Sequence, residues 1–210
     1  MDTGKKYGFF AMIDRMQYIN RWGLMRNNRV ENIKEHSFDV AVIAHALALI
    51  HNNLCDSGEA QGKVDPYKVQ SYALYHDCTE IITGDLPTPI KYRNETIKQA
   101  YKEVEHEAAQ RLVSHLPQEL AGQYMDLLDP DYISNGCENG EIVGKLVKAA
   151  DKISAYIKCI TEESSGNREF SSAKKATEKA IKKMGVKAAD IFMESFVPSY
   201  GFTLDQINGK

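Results

Sequence analysis

Tyr72-Ala73-Leu74-Tyr75-His76-Asp77-Cys78-Thr79-Glu80 is the stretch from which the fold is read. Asp65-Pro66 ahead of it forms a helix start, with Asp as N-cap and Pro at the first helical position, where its missing N–H is not needed. Gly84 behind it is a helix stop. Between them Val69, Ala73, His76 and Glu80 recur at helical spacing, so polar groups continue an apolar stripe. The pattern predicts a helix over 66–83 with His76 and Asp77 turned to the core. Burying a carboxylate among apolar neighbours costs several kcal/mol unless something compensates it. A metal ion is the most general compensation.

The same rule finds other ionisable groups on core-facing stripes. Asn32, with Glu35 three residues on, reads as a capping pair opening a second helix. Its stripe is Val40, Ile43, Leu47 and Ile50, and His36 lies one turn before Val40. A third helix runs from about Glu141 to Ser165 and stops at Gly166. Asp151 sits inside its stripe of Val143, Leu146, Val147, Ala150, Ser154 and Ile157. Taken singly, His36 reads as a satisfied core histidine and Asp151 as half of a helix-face salt bridge. His76-Asp77 changes that reading, because polar stripe residues in separate helices need partners.

Helical periodicity continues along the chain: about 7–20, 34–53, 66–83, 95–115, 117–128, 140–165, 168–184 and 186–196, with a short turn near 203–207. Strand signals are nearly absent. Segments 21–33 and 84–94 lack apolar periodicity and are expected as loops, where binding residues often sit. There is no internal repeat or low-complexity tract, so residues 1–210 are expected to form a single domain. With 43% hydrophobic and 26% charged residues, the composition is that of an ordinary globular protein. A net charge of −3 gives no electrostatic case for a nucleic-acid polymer or a membrane as partner. No apolar run approaching the ~18 residues of a membrane span is evident. Cys55, Cys78, Cys137 and Cys159 form no Cys-x-x-Cys pair and read as free thiols of a reducing, cytoplasmic compartment. Cys78 reads as a buried filler rather than a catalytic thiol.

The order His … His-Asp … Asp across three helices resembles the HD superfamily of metal-dependent phosphohydrolases. The likeness sharpens in Asn20-Arg21-Trp22-Gly23-Leu24-Met25-Arg26, in Glu31-Asn32-Ile33-Lys34-Glu35-His36-Ser37 and in Thr83-Gly84-Asp85-Leu86-Pro87-Thr88-Pro89-Ile90-Lys91-Tyr92. It continues in Ala150-Asp151, Tyr156-Ile157-Lys158-Cys159 and Phe196-Val197-Pro198-Ser199. Together these resemble the bacterial HD-domain 5′-deoxynucleotidases (YfbR-like) over nearly the whole chain. The resemblance implies an all-α HD-domain helical bundle with a central metal site. It implies hydrolysis of deoxyribonucleoside 5′-monophosphates, and a homodimer.

Carried over residue by residue, the resemblance makes His36, His76, Asp77 and Asp151 the ligands of one divalent metal cation. Two histidines and two carboxylates suit Mn²⁺, Co²⁺, Fe²⁺ or Zn²⁺ better than Mg²⁺. His45 falls out of phase with His36, and His51 lies too far along the helix. His106 is off its stripe, and His115 is the one remaining candidate for a second metal. Glu80 shares the face of His76 and Asp77 and reads as a base or orienter for the attacking water. The resemblance makes Asp85 an essential acid near the phosphoester, Arg21 the phosphate clamp and Trp22 a lining residue of the sugar pocket. Lys91 is a further substrate candidate, and Thr88 and Pro87 line the same pocket. Spacing does not divide acid and base roles between Glu80 and Asp85.

Two alternatives remain at this level. One is an HD phosphohydrolase acting on a deoxynucleoside triphosphate or an alarmone. The other is a non-catalytic nucleotide-sensing module. The two loops supply Arg21, Arg26, Arg29, Lys91 and Arg93, few cations for several phosphates, which favours a monophosphate. Glu80 and Asp85 beside intact ligands favour catalysis. Phosphate release from a deoxynucleotide with added metal separates these readings.

Overall fold

The computed structural model describes residues 4–91, 93–129, 132–133 and 136–209. Among them the regular structure is helical. The β contact found is one isolated antiparallel bridge between Asn20 and Asn32. The helices are α1 (Phe9–Asp14), α2 (Ile33–Asp56), α3 (Pro66–Tyr75), α4 (Glu80–Thr83), α5 (Thr88–Lys91), α6 (Glu95–Val113), α7 (Gln118–Leu128), α8 (Gly140–Ser164), α9 (Ser171–Met184), α10 (Lys187–Ser195) and α11 (Leu204–Ile207). Short 3₁₀ turns cover Arg15–Tyr18, Arg168–Phe170 and Val197–Gly201.

The caps act as their chemistry predicts. The Asn32 side chain accepts from the Lys34 and Glu35 amides at 3.0 Å each. Asp65 accepts from the Tyr67 and Lys68 amides, with Pro66 at the first helical position. Glu35 does not complete a reciprocal box; its carboxylate pairs with Arg29 at 3.6 Å instead. Gly84, at φ +74°, ends α4, and Gly166, at φ +84°, follows α8. Both sit in a backbone region that a side chain disfavours.

Two expectations are corrected here. Segment 84–94 is not wholly irregular, because α5 forms a single turn in which Pro87 O accepts from the Ile90 and Lys91 amides. One turn is too short to show an apolar period. And α2, 24 residues long, is by length and composition apolar enough to cross a membrane. Lys34, Glu35, Asp39 and three histidines break its apolar run in the sequence. In the fold part of that apolar surface packs against α3, α8 and α10, while Phe38, Val42 and Leu49 stay exposed.

Two apolar clusters form the interior. The larger joins α2, α3, α8, α9 and α10 through Val40, Leu47, Val69, Ala73, Leu146, Ile153, Ile181 and Phe192. The smaller joins α1, α6, α7 and the start of α2 through Phe9, Ile33, Cys78, Leu112 and Leu128. On α2, His36 lies between Ile33 of the smaller cluster and Val40 of the larger. His76 and Asp77 lie likewise between Ala73 and Cys78. The polar stripe residues therefore mark the seam where the two clusters meet.

Candidate active site

The seam is built by a break in the predicted helix 66–83. That helix stops at Tyr75 and resumes at Glu80, with 76–79 as a turn. The cause is local. His76 Nδ1 lies 2.6 Å from Ala73 O, the carbonyl that a continuing helix would pair with the Asp77 amide. The backbone tightens to one residue less per bond, with Cys78 N–H to Tyr75 O at 3.1 Å and Glu80 N–H to Asp77 O at 3.0 Å. With Nδ1 held by a carbonyl, the Nε2 lone pair is aimed inward, the usual orientation of a metal-binding imidazole.

Three helices and this turn bring the polar groups together. His36 is fully buried, and its ring centroid is 5.4 Å from that of His76. His36 Nε2 lies 3.1 Å from Asp151 Oδ1 and 3.6 Å from Asp77 Oδ2. His76 Nε2 lies 3.2 Å from Asp77 Oδ2. Ligand atoms of His36, His76 and Asp77 all fall within 4.8 Å of one another, close enough to share one ion. Asp151 joins them through His36. A divalent cation fits this donor set. His76 Nε2 is buried with no hydrogen-bond partner, and His36 Nε2 has a carboxylate oxygen of Asp77 and one of Asp151 beside it.

Charges in the cluster are strongly coupled. Burial alone would raise the Asp77 carboxyl, but His76, then His36 and Arg21, hold it well below the ordinary range. Asp151 is likewise held low, with burial outweighed by His36, then His76 and Arg21. Burial would lower His76, yet the Asp77 and Asp151 charges push it up to about 9. Glu80 is almost fully buried. Burial, then the Asp77 and Asp85 charges, push it up to about 9, and its Oε2 has no hydrogen-bond partner. Asp85 is raised by burial, against the Arg21 charge and the nearby Trp22 backbone amide. Burial raises the Cys78 thiol well above its ordinary value, which leaves it an inert filler.

Arg21 Nη1 donates to Asp77 Oδ2 at 3.2 Å, and its buried Nε has no partner. Lys91 lines the same cavity, but its Nζ is paired with Glu105 at 2.8 Å and sits 4.4 Å over the Tyr101 ring. Trp22 does not line the cavity. Its backbone is left-handed at φ +59°, its ring meets Phe170 at 5.3 Å, and its Nε1 donates to Glu31 Oε2 at 3.1 Å. The Thr88 side chain lies outside the described residues. His45 packs on Tyr67, His51 contacts Gly62 O, His106 faces Asp129, and His115 is exposed near Gly8. None of these four lines the cavity.

The cavity, about 430 Å³, runs between α6 and α8, with Arg21, His76, Asp77, Glu80, Asp85 and Asp151 at its floor. Its walls add Lys98 and Lys102 from α6 and Lys148 and Lys152 from α8. This corrects the count of cations made from the two loops. Their scarcity there is no argument against several phosphates, because helices distant in sequence supply the rest. Sequence reasoning also missed Glu31, a buried carboxylate between Trp22, Arg21 and His36. Burial would raise it, but His36 first and then Arg21 hold it low. Its one sequence signal was its place in the motif preceding His36.

The family profile described as 5′-deoxynucleotidase YfbR-like matches residues 8–200. A protein of Erwinia tasmaniensis named 5′-deoxynucleotidase is 44% identical over 200 residues, which cover 95% of this chain and 96% of that protein. One of Yersinia pestis with the same name is 46% identical, with 95% and 96% covered. Among solved structures, an HD-domain phosphohydrolase from Listeria innocua is similar at a TM-score of 0.68 and 22% identity, covering 91% of this chain and 87% of that one. The cyanophage S-2L HD phosphohydrolase bound to dA and one catalytic Zn²⁺ ion gives 0.60 at 17% identity, covering 90% and 95%. The fold is therefore that of the HD-domain phosphohydrolases.

Proposed function

The chain belongs to the YfbR-like 5′-deoxynucleotidase family, and from that premise we propose how its own residues hydrolyse a deoxyribonucleoside 5′-monophosphate to deoxyribonucleoside and phosphate. It is an enzyme, a phosphoric monoester hydrolase. One observation carries the assignment of residues. Arg21 Nε, His76 Nε2 and Glu80 Oε2 are buried without hydrogen-bond partners, and all three residues line one cavity. Each unpaired group costs roughly 1–3 kcal/mol. A phosphate oxygen for Arg21, a cation for His76 and a water proton for Glu80 account for all three.

His36, His76, Asp77 and Asp151 would hold one divalent cation, Mn²⁺, Co²⁺, Fe²⁺ or Zn²⁺ rather than Mg²⁺. The Zn²⁺ of the cyanophage neighbour supports that class. When bound, the cation lowers the pKa of a water molecule and polarises a phosphoryl oxygen. Arg21 turns its free guanidinium edge to the phosphate, where a planar fork matches two oxygens. Glu80 positions the attacking water or takes its proton. Asp85 faces the phosphoester region and assists protonation of the leaving 5′-oxygen. Trp22, the neighbour of Arg21 outside the cavity lining, meets the sugar of a phosphate held by Arg21 and selects the deoxy form, with Lys91 and Thr88 completing the substrate side.

A homodimer is part of the proposal. Phe38, Val42 and Leu49 share an exposed face of α2, and Phe202, Leu204 and Ile207 are exposed nearer the C-terminus. Apolar surface of this kind supports association. Sedimentation should give twice the chain mass. A cytoplasmic location is proposed on the four free thiols. The activity itself is tested with paired deoxy and ribo monophosphates against several divalent metals. Phosphate release should need a transition metal and favour the deoxy substrates. Turnover unchanged after thorough chelation would sink the assignment of ligands.

A further inference from the structure

Glu31 has no role in the mechanism above, yet three of its residues converge on it. The loop 20–32 is pinned at its ends, with Arg21 N–H donating to Glu31 O at 2.9 Å beside the Asn20–Asn32 bridge. This sets the Glu31 side chain next to Arg21 and Trp22, and Glu31 is only 8% exposed. Oε2 accepts the Trp22 indole N–H at 3.1 Å and lies 3.9 Å from Arg21 Nε. Oε1 lies 3.6 Å from His36 Nδ1, which also meets Ser154 Oγ at 3.1 Å.

The chemistry suits a carboxylate. Indole and guanidinium are donors without acceptors, and an ionised carboxylate is an acceptor without donors. Acceptors at His36 Nδ1 also keep the proton on that nitrogen and leave Nε2 to face Asp77 and Asp151. Trp22 needs such a tether. Its φ of +59° is unfavourable for a bulky side chain, and such strain persists only where surrounding contacts over-determine it. Phe170 supplies a ring contact, but Glu31 alone fixes the indole nitrogen.

We propose that Glu31 is a positioning residue that locks the Trp22 indole, the Arg21 guanidinium and the His36 imidazole in one arrangement, and thereby sets the preference for the deoxy sugar. The proposal rests on the assignment of Arg21 and Trp22 made above. Glu31 touches neither the cavity nor the reacting atoms; it acts through its three neighbours.

The test uses Glu31→Ala and Glu31→Gln in the full chain. Trp22 is the single tryptophan, so intrinsic fluorescence reports on it alone. Bound metal is counted in each protein, and kcat/KM is measured for paired deoxy and ribo monophosphates. Glu31→Ala should shift the emission, keep its metal, and cut the deoxy/ribo ratio by ~5-fold or more, the lower end for releasing an unpaired hydroxyl from an aromatic face. Glu31→Gln keeps an acceptor for the indole but not the charge facing Arg21. It should hold the emission and most of the ratio while KM rises for both sugars. Unshifted emission in Glu31→Ala, or an unchanged ratio, overturns the proposal, as does loss of metal with the ratio intact. If Glu31→Ala does not fold, the near-isosteric Glu31→Gln carries the test, and an unchanged KM there overturns it. Absence of deoxy preference in the natural chain would instead remove the Trp22 assignment, while emission and metal content still read the tether directly.

Discussion

Glu80 combines two properties that rarely coexist outside a reaction site: near-complete burial and a carboxyl oxygen without a partner. Burial and the Asp77 and Asp85 charges raise it from 4.5 to about 9. A folded state that binds its proton more tightly than the unfolded chain gains stability below 4.5 and loses it as pH rises through about 9. With chelator present, the natural protein should therefore lose stability relative to Glu80→Gln across that window, as read by denaturant unfolding at its two ends. Glu80→Gln should also keep its metal while losing roughly 10²–10⁴-fold in rate, the range for a general acid–base group. If it loses the metal, Glu80 is a ligand. Asp77→Ala is a different case. It leaves Arg21 Nη1 without its carboxylate and removes a group shared by two histidines. Metal analysis should find no bound ion, and unfolding should show a loss of roughly 3–5 kcal/mol, as for other broken buried pairs.

At the level of elements, the loop 20–32 is fastened to the end of α8 by one buried carboxylate. Glu162 accepts from the Asn28 amide at 2.9 Å, the Arg29 amide at 3.2 Å, Asn167 Nδ2 at 2.8 Å and Lys158 Nζ. Lys158 also donates to Arg29 O, and Asn167 to Arg26 O. Burial would raise Glu162, but these donors, Lys158 first, bring it down from 4.5 to about 2. Its contribution is present above 4.5 and lost as pH falls to about 2. Glu162→Gln should flatten the acid limb of the stability profile and speed hydrogen exchange at the Asn28 and Arg29 amides. It should also raise KM, because the loop carrying Arg21 is no longer held. Exchange at those two amides as slow as in the natural chain would show that the loop is fastened elsewhere.

For the whole molecule, the site exists only when α2, the turn after α3, and α8 are assembled, so an ion that binds there binds the folded state. At a concentration of 100 Kd such a ligand adds about 2.7 kcal/mol. For a domain of this size that is a rise in Tm of roughly 5–11 °C. Mn²⁺ or Co²⁺ should produce it in a thermal scan and chelator should reverse it. A Tm indifferent to every transition metal would mean that the four groups are not a metal site.

The sequence alone determined the helical fold, the caps at Asn32 and Asp65, and the inward placement of His36, His76, Asp77 and Asp151. Each of these depends on signals within a few turns: a cap that satisfies nearby amides, or a polar group in step with an apolar stripe. The resemblance drawn from the motifs added the family. Periodicity missed the break in the helix carrying His76, a local event in which an imidazole competes for Ala73 O. Only the tertiary structure decided two other things. Glu31 becomes a shared acceptor, because the loop 20–32 closes on itself. Lysines of α6 and α8 join the cavity, because those helices flank it. Periodicity assigns a residue to a face of its own helix. It does not say which face of which other element lies opposite, and the partners, charges and cavity of this site are all set by that second relation.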